Sequence, residues 1–230
     1  IIPFLIPFLL MMAIGPKLKW IKSQLEDKIY LISFLIISIL LAFLVLKNFN
    51  QNILINTILI SSALYLFFIT LRDFFVKKYK NISQNIAHFG FSLLILSILF
   101  NNLFASEIIT NLKVGETFEN SKTKIVFESV DQKKEKNYNA IIANFSISNS
   151  NGEEDRFSPE LRIYNQPVIA TSEADIKTTL MSDKFIVINL VQNQDFFNVR
   201  YQVKPFMLWI WLSVILISFG GIVSFLQKRS

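Results

Sequence analysis

Four long apolar segments constrain this chain more than any other feature of its sequence. They occupy residues 29–46, 53–71, 83–104 and 206–226. As α-helices they would rise roughly 27 to 33 Å, which matches the ~30 Å hydrocarbon core of a bilayer. Residues 1–14 are also apolar but would rise only about 21 Å, so they predict a partial span. Because the sequence begins inside this run without a Met, we expect it to start partway through a transmembrane helix.

The composition agrees with insertion into a membrane. Hydrophobic residues make up 52% of the chain and 23 positions are Phe, which is too apolar for an ordinary soluble protein. Residues 1–104 are therefore predicted to form a set of transmembrane helices, with the lipid membrane as a partner. The sequence has no Cys, which excludes disulfides and thiolate metal sites.

Basic residues set the predicted orientation. Residues 105–204 hold slightly more acidic than basic residues, so the net charge of +6 comes from the membrane flanks. The basic loops at residues 17–28, 72–80 and 228–229 fall on one side of the predicted spans, while the loop after Lys47 is poor in charge. The positive-inside rule then places the basic loops in the cytoplasm and residues 105–204 outside. No nucleic-acid partner is needed to explain the basic excess.

Residues 105–204 are predicted to form a β-rich periplasmic domain inserted before the last transmembrane helix, residues 205–230. Short runs of β-branched and aromatic residues alternate with polar ones, and Asn151–Gly152 supplies a turn signal. The expected strands are residues 124–130, 138–148, 156–164, 185–191 and 197–203. A short helix is expected at residues 172–180 and a solvated hairpin tip at Lys133 to Lys136. The predicted fold class is an α-helical integral membrane protein with four full transmembrane helices, a partial one and a β barrel or sandwich.

The only histidine of the chain, His88, lies inside one of the apolar segments. An ionisable side chain at that depth is costly and usually marks a site, and imidazole is a common ligand of metals and haem iron. On a helix, Gln84, His88 and Ser92 share one face. Ala87 and Gly90 flank that face and are small enough for a flat ligand or another helix to come close. Spacing alone leaves a second interpretation open, in which His88 reaches the headgroups or packs against a neighbouring helix.

No catalytic residue is predicted in the outside domain. Nucleophilic catalysis there lacks its usual base, because the one histidine is in the membrane. The acidic run Glu153 to Asp155 follows an Asn–Gly pair, so we interpret it as an exposed turn and not as a metal site. Strand alternation places Glu160, Arg162 and Tyr164 on one face.

Five motifs give the chain a resemblance to a known family. They are Gly15–Pro16 before a basic loop, Ala87–His88–Phe89–Gly90, Ser158–Pro159–Glu160-x-Arg162-x-Tyr164, Glu173–Ala174-x-Ile176 and Lys204–Pro205–Phe206-x-x-Trp209–Ile210–Trp211. In this order and spacing they resemble the C-terminal part of the CcmF/CycK family, the haem lyase subunits of the cytochrome c maturation system. The resemblance runs across nearly the whole chain.

The resemblance implies that His88 is an axial ligand to the iron of a b-type haem in the membrane. The second histidine would lie on an earlier helix that this sequence does not contain. We expect the His88 Nδ1–H to donate to the Gln84 carbonyl or the Ser92 hydroxyl, which would fix the ring.

The resemblance also implies a reaction and a location. The reaction is covalent attachment of haem to apocytochrome c at the outer face of a bacterial or mitochondrial inner membrane. The implied partners are apocytochrome c and other maturation subunits, including the haem chaperone. Whether this part of the protein itself catalyses thioether bond formation stays open. The alternative is a non-catalytic, membrane-anchored assembly or sensor module with a periplasmic β domain.

We predict that residue 151 is outside the cell and residue 78 is in the cytoplasm. In this Cys-free sequence, Asn151→Cys should react with a membrane-impermeant maleimide in intact cells. Lys78→Cys should react only after lysis, because the bilayer separates the two loops. Labelling of Lys78→Cys but not Asn151→Cys in intact cells would invert the topology.

Overall fold

The structure is a computed structural model that describes residues 2–17, 28–47, 49, 53–76, 81–149, 152, 154–191 and 195–227. The chain forms two compact units. One, the helical unit, holds residues 1–103 and 206–230, and the other, the β domain, holds residues 104–205. Most of the basic loop residues used to predict the orientation, and Asn151 of the expected turn, lie outside the described residues.

The described part of the helical unit contains five α-helices. They are α1 (Ile2–Ile14), followed by a 3₁₀ turn (Gly15–Lys17), then α2 (Lys28–Leu46), α3 (Ile53–Phe75), α4 (Ile82–Phe104) and α5 (Met207–Gln227). The last four are long and apolar enough to cross a membrane, and α1 is shorter. Helix α3 continues past its predicted end at Leu71 and ends at Phe75. This extra turn contains Asp73, whose charge is compatible with the position because it pairs with Lys17.

Helix α3 carries much of the buried surface described in the helical unit. Ala63, Leu66 and Ile69 are each at most 1% exposed, and their spacing puts them on one side of the helix. They belong to one apolar cluster with Leu9 of α1 and Leu31 of α2. α3 is therefore held between its neighbours by an ordinary apolar stripe.

The β domain is a sandwich of two antiparallel sheets. Its strands are β1 (Ser106–Leu112), β2 (Thr117–Glu119), β3 (Thr123–Lys134), β4 (Tyr138–Asn149), β5 (Glu154–Phe157), β6 (Glu160–Asn165), β7 (Val168–Glu173), β8 (Asp175–Thr178), β9 (Ser182–Leu190) and β10 (Phe197–Pro205). One sheet has the order β1-β10-β9-β8, and the other has β2-β3-β4-β6-β7 with β5 also paired to β4. Between the sheets, the buried rings of Phe127 and Phe145 stack with centroids 4.5 Å apart. The period-2 pattern that predicted the strands thus also builds the core.

Two sequence predictions about this domain are wrong. The short helix expected at residues 172–180 does not form, because this segment pairs with β6 and β9 as the end of β7 and the whole of β8. Tertiary pairing here overrides local preference. The expected strand at residues 156–164 is divided in two at Pro159, which has no backbone N–H to donate. β4 changes partner from β5 to β6 at the same place.

Two lysines hold Asp155 where the sheets meet. Lys184 Nζ lies 2.7 Å from one carboxylate oxygen and Lys177 Nζ lies 3.5 Å from the other. Asp155 belongs to β5 and the lysines to β9 and β8, so this ion group links the two sheets. The hydrogen bond from Lys184 outweighs burial and lowers the pKa of Asp155 below its usual value. A lowered pKa means that the charged carboxylate stabilises the fold.

We predict that Asp155→Asn lowers the free energy of unfolding at neutral pH by about 1 kcal/mol, the value of a partly exposed ion pair. The stabilisation is present above the unfolded-state pKa of about 4 and is lost as pH falls through the lower folded-state pKa. The difference between wild type and variant should therefore shrink in acid. Denaturant unfolding of the purified protein, followed by far-UV circular dichroism, measures it. Asp195→Asn removes an exposed carboxylate and is the matched control, so equal losses in both variants would contradict the prediction.

Candidate functional site

Helix α4 carries the candidate site, and Asn81 caps its first turn. The Asn81 backbone carbonyl accepts a hydrogen bond from Asn85 N at 2.9 Å. The Asn81 side chain accepts one from the Ser83 hydroxyl at 2.8 Å and donates one to Gln84 Oε1 at 3.2 Å. Asn is a preferred residue at this position. The start of the helix that carries the histidine is thus fixed by its own residues.

His88 lies in the first half of α4 and is half-buried. Within the described residues the imidazole has no hydrogen-bond partner, so the expected bond to Gln84 or Ser92 does not form. The Ser92 hydroxyl instead donates to the Phe89 carbonyl at 2.8 Å, and Gln84 Oε1 accepts from Asn81. The ring nitrogens are therefore available to a ligand.

Helix α5 packs against the small residues that flank His88. A Cβ on Gly220 would lie 2.8 Å from Ala87 N, and a Cβ on Gly90 would lie 3.0 Å from Ile217 Cγ1. Such approaches require glycine. Ala87 and Gly90 are about 100° and about 160° around the helix from His88, so α5 does not cover the imidazole face. The sequence predicted that either a flat ligand or another helix could lie beside Ala87 and Gly90. In the structure, helix α5 lies there.

A buried ion pair lies near His88. Lys17 Nζ is 2.7 Å from Asp73 Oδ1, and the two side chains are 2% and 7% exposed. Asn85 Nδ2 donates to the Asp73 backbone carbonyl at 3.4 Å, which ties α3 to α4. Asp73 is also the charged group that acts electrostatically on His88. A buried carboxylate without a partner would be costly, and Lys17 is the partner of Asp73.

Sequence reasoning missed this pair, because Arg72 and Asp73 were interpreted as the start of a basic loop. The available signal was an acidic residue directly after a long apolar run, which in a membrane protein usually has a specific partner. The neighbouring Arg72 does not share this pair. Its guanidinium lies 3.5 Å from the centre of the Tyr30 ring, which connects α3 to α2.

Phenylalanines hold α4 on both sides of His88. The Phe89 ring lies 5.1 Å from Phe67 of α3, and the Phe91 ring meets Phe8 of α1 edge to face at 5.7 Å. Such aromatic pairs stabilise their elements beyond simple burial. α4 is therefore fixed against three other helices while the imidazole remains unbonded.

The donors around His88 fit one axial position of a haem. A haem iron takes only its axial ligands from the protein, and one available imidazole would be enough to supply one of them. Among the described residues there is no group of three or more His, Cys, Asp or Glu side chains that could hold a different metal ion. Because the sequence has one histidine, a second histidine ligand would come from outside it.

The residues singled out in the β domain form a paired surface network. Arg162 Nε donates to Glu160 at 2.8 Å, and its guanidinium lies 5.1 Å from the Tyr138 ring. Tyr164 packs against the same ring at 5.4 Å. The hydrogen bond to Glu160 raises the pKa of Arg162 above its usual value. These side chains satisfy one another across strands, which is how a stabilising cross-strand group behaves.

Comparison with known proteins identifies relatives of this chain. Residues 103–205 match the family model described as the CcmF C-terminal beta-sandwich. The cytochrome c-type biogenesis protein CcmF of Haemophilus influenzae is 25% identical over 239 residues, which are 97% of this chain and 37% of that protein. The cytochrome c-type biogenesis protein ccl1 of Rhodobacter capsulatus is 33% identical over 123 residues, 54% of this chain and 19% of that protein.

The chain resembles the C-terminal part of CcmF proteins. A solved structure, cytochrome c haem lyase CcmF, shares its fold with a TM-score of 0.72 at 18% identity, over 96% of this chain and 38% of that one. This confirms the predicted fold class. The four long apolar helices and the bacterial relatives confirm an integral protein of the inner membrane. The chain spans about 37% of the length of the curated relatives that it matches over nearly its whole length.

We predict that Gly220→Ala destabilises the helical unit and that Gly221→Ala does not. An added methyl group at Gly220 meets the α4 backbone, whereas at Gly221 nothing lies within 4 Å. Both variants gain helix propensity, so their difference isolates the clash, which should cost about 1–3 kcal/mol. Thermal unfolding of the two purified variants in the same detergent measures it. Equal stabilities would show that α5 does not approach α4 this closely.

Proposed function

We propose that this chain takes part in covalent attachment of haem to apocytochrome c, as one part of a cytochrome c maturation haem lyase. In this proposal His88 is an axial ligand of a b-type haem within the membrane, and the β domain lies on the periplasmic side. Other maturation subunits, including a haem chaperone, would act with it.

The observation that carries the proposal is the state of the His88 imidazole. It is half-buried in a helix of membrane-spanning length and has no hydrogen-bond partner among the described residues. A polar ring in lipid without a partner costs free energy, and an iron ligand role would compensate for that cost. The family relationship supplies the reason to choose haem over other metals.

The chain's own residues would orient this ligand. α5 holds α4 through Gly220 and Gly90, on a side away from the imidazole. Phe89 and Phe91 contact α3 and α1 and restrict rotation of the helix. A haem bound there would supply one-electron transfer, and a neutral imidazole nitrogen would be its ligand on this side.

The haem that becomes attached is a substrate, separate from the haem held by His88. Its attachment joins cysteine thiols of the apocytochrome to haem vinyl groups as thioethers. The thiols must come from the partner, since this chain has no Cys. We assign no catalytic residue to the β domain, where the conspicuous charged residues Glu160, Arg162 and Asp155 are paired with other side chains.

The second candidate function is a non-catalytic, membrane-anchored assembly or sensor module. The pairing of Glu160 with Arg162 and of Asp155 with Lys184 favours it, because these conspicuous charged groups of the described part of the domain are engaged with one another. A visible absorption spectrum distinguishes the candidates, since only the first requires a low-spin haem that depends on His88.

We predict that His88→Ala, made in the full-length protein that contains this chain, abolishes or shifts the low-spin haem spectrum. The reason is loss of one axial ligand. Exogenous imidazole should partly restore the spectrum by occupying the space left by the side chain. The measurements are absorption spectra of oxidised and reduced purified protein, and assembly of c-type cytochromes in cells.

Gln84→Ala is the matched control, because Gln84 lies one turn from His88 on the same face of α4 and would not bind iron. It should leave the spectrum unchanged. If His88→Ala retains a normal spectrum and supports normal cytochrome c assembly, His88 only packs and the haem proposal is wrong.

A further inference from the structure

The turn between β8 and β9 exposes two large apolar side chains. Leu180 and Met181 lie between Thr178 and Ser182, and they are 68% and 62% exposed. Neighbouring large side chains at the tip of a short turn are usually polar, because exposed apolar surface invites association. Exposure alone does not distinguish this turn, since Val168 and Ile169 beside another turn are 81% and 52% exposed; its position in the domain does.

The turn lies at the end of the β domain where the chain enters and leaves it. In the first sheet Ser182 pairs with Pro205, and Ser106 pairs with Val203. Both ends of the domain and the β8–β9 turn are thus at the same end of that sheet, where the strands start or finish.

Both ends of the domain continue directly into membrane-spanning helices. Only Ala105 separates the end of α4 from β1, and only Phe206 separates β10 from α5. No flexible linker is present at either connection. A bilayer that contains α4 and α5 would therefore begin within a few residues of Ser106 and Pro205 along the chain, and the turn of Leu180 and Met181 is at the same end of the sheet as these two residues.

Polar groups of the two residues that flank Leu180 and Met181 bond each other. Thr179 N donates to Ser182 O at 2.9 Å, and Ser182 N donates to Thr179 Oγ1 at 3.0 Å. The Thr179 hydroxyl in turn donates to Ser182 O at 2.8 Å. Because these polar groups are bonded within the turn, removing them from water costs little. Lys204 pairs in register with Asp183 at the same end of the sheet. A cation at this position is common beside lipid headgroups.

We propose that the β8–β9 turn is a lipid anchor, with Leu180 and Met181 inserted into the interface of the bilayer that holds α4 and α5. The occupant is the lipid surface and not a second protein, because this end of the sheet is joined at two points, each by one residue, to helices of membrane-spanning length. The anchor would add a third attachment to the two chain connections and limit tilting of the domain. It depends neither on haem binding nor on which face of the membrane carries the domain.

The test uses single cysteines in the Cys-free chain, labelled with the environment-sensitive fluorophore NBD. Leu180→Cys and Met181→Cys probe the turn. Val168→Cys is the matched control, since Val168 is apolar, 81% exposed and also next to a turn. It begins β7, whose Ser172 hydroxyl bonds Asn189 near the opposite end of β9. Each labelled protein is placed in nanodiscs of phosphatidylethanolamine and phosphatidylglycerol, with and without doxyl-labelled lipid.

A lipid anchor predicts that NBD at 180 and 181 emits at shorter wavelength than at 168, is quenched by doxyl lipid and is shielded from aqueous iodide. Quenching by iodide equal to that of the 168 label would overturn the proposal. Shielding from iodide without quenching by doxyl lipid would also overturn it, because protein would then cover the turn. Leu180→Ser combined with the 181 label should reduce doxyl quenching, whereas Val168→Ser should not.

Discussion

Lipid offers no hydrogen bonds to a polar group, and this constraint accounts for most polar contacts in the helical unit. The buried hydroxyls of Ser38, Thr70 and Ser213 donate to carbonyls one turn earlier at 2.6 to 2.8 Å. Lys17 and Asp73 satisfy each other. The His88 ring has no such bond within the part of the chain that the structure describes, and neither has Arg72 Nη1, which is buried. The guanidinium of Arg72 lies against the Tyr30 ring, so the imidazole is the group among these two that is suited to bind a metal.

Much of the fold could be predicted because the residues of each unit follow a clear hydrophobic pattern. Apolar runs of bilayer length fix the helices, and alternation fixes long strands such as β3, β4 and β10. The failures lie where partners decide the structure. β7 and β8 have short, partly charged sequences, and they are strands because β6 and β9 pair with them. The division at Pro159 likewise depends on β4 changing partner, which no local pattern reveals.

The sequence singled out His88 as the candidate side chain of the site, but it did not predict which residues surround His88. His88 stood out because a single ionisable group in an apolar run is rare. Its neighbours did not, because contact between α1, α3 and α4 brings together residues far apart in sequence. Lys17 and Asp73 are separated by 56 positions, and each resembled an ordinary membrane-flanking charge. Gly220 could be singled out only as a small residue, since its partner Ala87 depends on how α5 crosses α4.

The length of α4 limits what His88 can do under the proposed function. From His88 to Phe104 the helix rises roughly 24 Å, and β1 begins after one further residue. A haem held by His88 and a haem attached on the β-domain side are therefore different molecules, because one macrocycle cannot occupy both places. His88 would then serve attachment through electron transfer or structure, and not by presenting the substrate. α5 and the phenylalanine contacts fix the helix that carries this ring, while Lys17 pairs with the carboxylate of Asp73.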